Sequence, residues 1–135
     1  MEALMTKKIL IILAILTIGA TGLMAKTDWH GKFWGDFEGE WKGTLYGNEQ
    51  DPPIFKGKWA SEETGEEGTL FAGLEYCGHG IYKIVKGVIY DREGNEIGWW
   101  DGYFDENIKP GYAEGRWAHF DSFRIGKWQG KRILS

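Results

Sequence analysis

Trp29-His-Gly-Lys-Phe33-Trp-Gly-Asp-Phe37-Glu-Gly-Glu-Trp41-Lys-Gly-Thr-Leu45-Tyr-Gly47 repeats with a period of two. The odd positions are Trp29, Gly31, Phe33, Gly35, Phe37, Gly39, Trp41, Gly43, Leu45 and Gly47. The even positions are mainly polar, with Trp34 and Tyr46 among them. Side chains alternate faces along a strand, so extended chain here presents a ring-or-glycine face and a mainly polar one. No helical period fits, and the glycines would each weaken a helix. Residues 29–47 are therefore read as extended chain.

Glycine inside a strand costs backbone entropy and packs nothing. Its use at every second position has a steric reason. A large ring can lie flat over a glycine of the neighbouring strand, where a Cβ would collide with it. Such pairing also pins register. Each buried ring contributes on the order of 2–3 kcal/mol by area, more than the glycine cost of ~0.5–1 kcal/mol.

The theme recurs down the chain. Phe55-Lys-Gly57-Lys-Trp59 restates Phe37-Glu-Gly39-Glu-Trp41. Trp100, Gly102 and Phe104 share one face, with Trp99, Asp101 and Tyr103 on the other. Gly115 is in phase with Trp117, and Gly126, Trp128 and Gly130 are in phase with one another. Turn residues separate the runs: Asn48 to Pro53, Ser61 to Glu67, Cys77-Gly-His-Gly80, Asp91-Arg-Glu-Gly94-Asn95, Lys109-Pro-Gly111 and Asp121-Ser122. Asp91–Asn95 is the clearest hairpin, a type I turn with Gly94 in the left-handed position. Later units align on Gly57, Gly87 and Gly115. The expectation is all-β: an antiparallel meander of about eight strands, curled as an open sheet or closed into an up-and-down barrel. Leu70, Ala72, Leu74 and Tyr76 oppose Phe71 and Gly73, while Ile81, Val85 and Ile89 oppose Tyr82, Ile84 and Val88. Both faces are apolar there, which calls for curling, closure or a second subunit.

Residues 1–25 are set apart. Lys7-Lys8 precedes an apolar run at 9–18 and small residues up to Ala25, the pattern of a secretory signal peptide. The alternative is an uncleaved anchor over 9–25, at the lower limit of ~17 residues for a spanning helix. The expected domain is 26–135, and all eight Trp, six Tyr and seven Phe fall within it. The single cysteine, Cys77, excludes an internal disulfide. An exported, secreted, periplasmic or cell-surface location is expected. With Glu2, Lys7 and Lys8 set aside, 19 acidic side chains face 14 basic ones. That balance argues against nucleic acid and gives no attraction to anionic lipid.

Phe37-Glu-Gly-Glu-Trp41-Lys-Gly, and Phe55-Lys-Gly-Lys-Trp59 followed by Gly65-Glu-Glu-Gly-Thr-Leu-Phe71, resemble MORN repeats over residues 33–73. The resemblance implies short β-hairpins in an elongated curved sheet that serves as a scaffold for proteins or membranes. The spacing here, 30 and 28 residues between the aligned glycines, is longer than that family's period.

Cys77 and His79 offer two local metal ligands where structural zinc takes four, so no metal or other cofactor is expected. Glu62, Glu63, Glu66 and Glu67 read as a solvated turn. No nucleophile elbow, phosphate loop or dinucleotide fingerprint is present, and the main reading is non-enzymatic: a scaffold or protein-interaction module. The second is a carbohydrate or small-ligand binder that uses Trp34, Trp99, Tyr103 and Asp101 on the polar face, or a barrel mouth, with a cell-surface glycan as partner. Those tryptophans packing against loops is the plain alternative. The third is a hydrolase with paired carboxylates drawn from Asp101, Asp105 and Glu114.

Overall fold

A computed structural model describes residues 25–47, 52–108, 110–120 and 124–134. The expected leader through residue 24, loop residues 48–51, Lys109 of the 109–111 turn and the Asp121-Ser122 turn lie outside the described residues. Eight strands follow in order: β1 Ala25–Gly35, β2 Gly39–Gly47, β3 Ile54–Ala60, β4 Glu67–Tyr76, β5 Ile81–Asp91, β6 Glu96–Asp105, β7 Tyr112–His119 and β8 Ile125–Arg132. Each pairs antiparallel with the next, and β8 returns to β1, so the meander is a closed barrel. Closure removes both sheet edges, which an open sheet would leave unpaired. No helix occurs among the described residues.

The 29–47 run is two strands rather than one. Asp36, Phe37 and Glu38 turn between β1 and β2. The turn keeps odd residues facing inward on both sides, so the alternation conceals it. Phe37 leaves the ladder and caps one end of the barrel, edge-on to Trp117 with ring centroids 5.0 Å apart. The Arg124 guanidinium sits 4.9 Å from its ring centre.

Rings fill the interior. Phe37, Trp41, Trp59 and Trp100 are all buried, and Trp29, Phe55 and Phe104 have no exposed surface. One arrangement recurs five times. Trp41 stands opposite Gly31, Trp59 opposite Gly68, Trp100 opposite Gly87, Trp117 opposite Gly126 and Trp128 opposite Gly115. In each case the indole N–H donates to a backbone carbonyl on the strand beyond the glycine. The acceptors are Gln129 at 3.1 Å, Tyr90 at 2.9 Å, Phe71 at 3.1 Å, Trp34 at 3.1 Å and Asp101 at 2.8 Å. Each tryptophan thus spans three strands. A Cβ on Gly115 would stand within 3 Å of the Asp101 carbonyl and of the Trp128 indole nitrogen. The ring lies across that glycine because no side chain is there.

β4 and β5 are built differently. Leu70, Ala72, Leu74, Ile84 and Ile89 face the core. The register shifts between Gly73 and Leu74, and again between Lys83 and Gly87. Val85 is the extra residue of this bulge and is 61% exposed. The expected alternation of Ile84 with Val88 on one face therefore fails. Ile84 points in, while Val88, between the inward Gly87 and Ile89, points out.

Candidate functional site

The interior offers little room for a ligand. A cavity of about 60 Å³ remains at the Phe37 end, lined by rings and aliphatic groups from Phe33, Phe37, Trp59, Leu70, Ile89 and Trp117 among others. Ligand pockets typically run ~300–1,000 Å³ and carry convergent polar groups that fix orientation. This space is far smaller, and no polar surface lines it.

The outer wall is where the expected site residues lie. Trp99, Asp101 and Tyr103 project outward from β6, and Trp34 projects outward from β1. Trp34 is 39% and Trp99 40% exposed. The fold does not bring them together. β1 and β6 are separated by β8 and β7, three strand steps round the wall. In an eight-stranded barrel that is about 135° of arc, so the two indoles face different directions.

Asp101 and Tyr103 are held by their neighbours. Asp101 accepts two bonds from the Arg116 guanidinium, 2.9 Å from Nη2 to Oδ2 and 3.5 Å from Nε to Oδ1, and its Oδ1 also accepts from the Arg116 backbone N–H. The Asp101 bonds raise the Arg116 pKa above its ordinary value. The Tyr103 hydroxyl donates to Glu114 Oε2 at 3.2 Å, and the Tyr112 hydroxyl to Glu114 Oε1 at 2.7 Å. Gln129 Nε2 donates to the Tyr112 oxygen at 2.9 Å. Burial and the adjacent Glu114 carboxylate hold the Tyr103 phenol above its usual pKa. For Tyr112 the hydrogen bond to Glu114 comes first, then burial. Glu114 is thus a carboxylate shared by two phenols. Asp105 Oδ1 accepts the Asn107 backbone N–H at 2.9 Å. All three acids proposed for hydrolysis are engaged in bonds that hold the wall and its turns.

The fold brings no third ligand to Cys77 and His79 from the described residues. Among the described residues, no group of three or more His, Cys, Asp or Glu is placed to hold an ion. Cys77 is exposed, with Sγ 3.6 Å from the Glu75 carbonyl. The acidic turn is partly tied down: Glu63 accepts the Glu38 N–H, Glu66 pairs with Arg124 and Glu67 with Arg92.

A different feature emerges around Trp99. Phe71 pairs with Val88, Val88 with Trp99, Trp99 with Ala118 and Ala118 with Ile125. One apolar side chain from each of five consecutive strands therefore lies in a single outward row across β4 to β8. Val88 and Ala118 are 5% and 9% exposed yet stand outside the interior cluster. Ile125 is 62% exposed, and Phe120, just past the end of β7, is 48% exposed. Sequence reasoning found Trp99 but not the row, because its members are scattered from 71 to 125. The usable signal was an apolar residue at an outward position in each strand, visible only once register is known.

No family model, no curated protein and no solved structure matches this chain.

Proposed function

We propose that this chain is an exported, non-enzymatic β-barrel whose outer wall is an interaction module, with the row Phe71–Val88–Trp99–Ala118–Ile125 as its contact surface. The observation that carries the reading is the continuity of that row across five strands. Scattered surface apolar residues need no explanation, but a contiguous apolar patch on a soluble wall is a feature of partner sites. Trp99 at the centre of the row has the character of an interface anchor, with a large body and little conformational freedom to lose. The barrel interior is taken up by rings, which favours the wall over a ligand-holding calyx.

Site-specific photocrosslinking from position 125 in the producing cell tests the proposal. A discrete adduct is expected, and Trp99→Lys abolishes it while the circular dichroism spectrum is kept. Absence of any adduct from a folded barrel removes the reading. An adduct indifferent to Trp99→Lys places the contact elsewhere.

A further inference from the structure

The net negative charge of the chain hides a division of the wall. Strands β8, β1, β2 and β3, contiguous in the barrel, carry eight Lys or Arg against two acids. Strands β4 to β7 carry three Lys or Arg against seven acids. At physiological ionic strength the Debye length is ~8 Å, less than the width of a barrel. Each half therefore presents its own sign to a partner, and net charge is a poor guide to either.

Within the basic half, four nitrogenous side chains are in register. Lys131 pairs with His30, His30 with Lys42 and Lys42 with Lys58. All four are exposed. Neighbouring strands lie ~4.8 Å apart, so this is a ladder of directly opposed cationic or protonatable groups, an arrangement that disfavours the sheet. Ion pairs form elsewhere: Arg92 with Glu67, Arg116 with Asp101 and Arg124 with Glu66. Among the described residues, none of the three ladder lysines has an ion pair. The repulsion is left standing, and an external anion would relieve it.

We infer that this ladder is a binding site for a flexible linear polyanion, specifically an acidic polysaccharide carrying a carboxylate on each sugar. Shape decides among anionic partners. The four groups fan through about 135° of the wall and border one open recess, which Trp34 also lines together with Glu40, Glu67 and Asp91. A flat lipid surface, or the convex acidic half of a second copy, touches such a wall along a narrow strip and leaves most of the ladder uncovered. Duplex DNA, with a persistence length of ~50 nm, cannot wrap it. A single-stranded nucleic acid would bend, but its binders supply a series of aromatic stacking platforms. The basic half presents one strongly exposed aromatic, Trp34, beside Lys127 in register. One indole suffices to stack on one pyranose face. A uronate polymer carries a carboxylate on every sugar, so one bent chain offers several anions along the ladder. This site lies on the opposite half from most of the apolar row, and either assignment can fail without the other.

The experiment measures binding of polygalacturonate to the barrel, with neutral dextran, oligo-deoxythymidine and phosphatidylglycerol vesicles as comparators. Polygalacturonate is expected to bind, with affinity falling roughly tenfold or more between about 50 and 200 mM salt as counterions are released. Lys42→Glu with Lys58→Glu is expected to weaken it at least about tenfold. Lys83→Glu with Lys86→Glu on β5 makes the same charge change on the other half and is expected to shift it less than about threefold. Thermal melts confirm that both variants fold. No binding at low salt, equal losses from the two double variants, or tighter binding of the oligonucleotide or the vesicles each overturns the inference.

Discussion

Two parts of the barrel hold their strands together by different means. Around most of the wall, an indole crosses the glycine opposite it and hydrogen-bonds the strand beyond. A slip of one residue there would bring a Cβ or a neighbouring side chain under the ring and strip the indole N–H of its acceptor. Slippage is thus opposed twice, by packing and by a hydrogen bond worth about 1 kcal/mol. The lower part of β4 and β5, from Gly73 to Ile84, has no such crossing. Leu74 faces Ile84, aliphatic against aliphatic, and it is here that the register shifts. The comparison teaches that aliphatic packing tolerates an extra residue where a three-strand indole contact does not. The bulge in turn bends its strand, which helps an eight-stranded sheet to close.

The widest separation between the two parts is expected from adding one methyl group. In Gly115→Ala the new Cβ would meet a carbonyl oxygen and the Trp128 ring within 3 Å, so the backbone or the ring must move. A loss of at least about 3 kcal/mol is expected, the upper end for overpacking. Gly73, in the bulged region, has open space where its Cβ would be. Gly73→Ala should stabilise by about 0.4–1 kcal/mol through the unfolded state. Urea unfolding of both variants checks this. Equal losses would mean that glycine serves chain flexibility rather than ring seating.

Much of this was readable from residues 29–47 alone, because a ring-or-glycine alternation has one economical explanation. The identity of the inward face follows from it for Trp29, Phe33, Trp41 and Leu45. Barrel closure does not, since it depends on whether Gly31 meets Gly130, a pairing between chain ends that no local pattern encodes. The Asp36–Glu38 turn escaped because it leaves the parity of the flanking residues unchanged. The β5 bulge escaped for the opposite reason: it inverts parity at Val85, and the glycines beside it, Gly73 and Gly87, look like the others of the repeat. At the site, the outward position of Trp34 and Trp99 was legible, but their degree of exposure and their separation round the wall were not. The apolar row and the Lys131–Lys58 ladder each draw one residue per strand, so both are properties of register.

A smaller effect distinguishes the hydrogen bond from the ring in these three-strand contacts. Trp128→Phe keeps an aromatic over Gly115 but removes the donor to the Asp101 carbonyl and some of the ring volume. The expected loss is about 1.5–3 kcal/mol, from the hydrogen bond and the space left behind. In the bulged part, Leu74→Val should cost about 0.5–1.5 kcal/mol. Amide exchange gives the local picture. The β6–β8 amides near Trp128 are expected to exchange only with global unfolding, and those flanking Val85 through local opening. Equal protection of the two sets would dissolve the distinction.

The smallest effect concerns the other end of β5, where a turn rather than a ring holds the chain. Asp91 Oδ1 accepts the backbone N–H groups of Glu93 and Asn95, both at 2.9 Å, and Oδ2 accepts from the Asn95 side chain at 3.2 Å. Gly94, with φ of 88°, takes the left-handed position that the turn requires. These bonds, the Asn95 backbone N–H foremost, hold the Asp91 carboxyl below its ordinary pKa of 3.8. The folded state therefore binds this proton less readily than the unfolded chain does. The contribution to stability is fully present above the unfolded value and is lost as pH falls through the folded one. Acidification below about pH 4 should accelerate exchange of the Glu93 and Asn95 amides, once corrected for intrinsic rates, before it affects those near Trp128. Asp91→Asn should abolish that pH dependence and barely move the urea midpoint, because a solvent-exposed turn is screened. If it instead lowered the midpoint as far as Trp128→Phe does, the turns would rank beside the indoles in holding the barrel, and the contrast between crossed and uncrossed strands would lose its force.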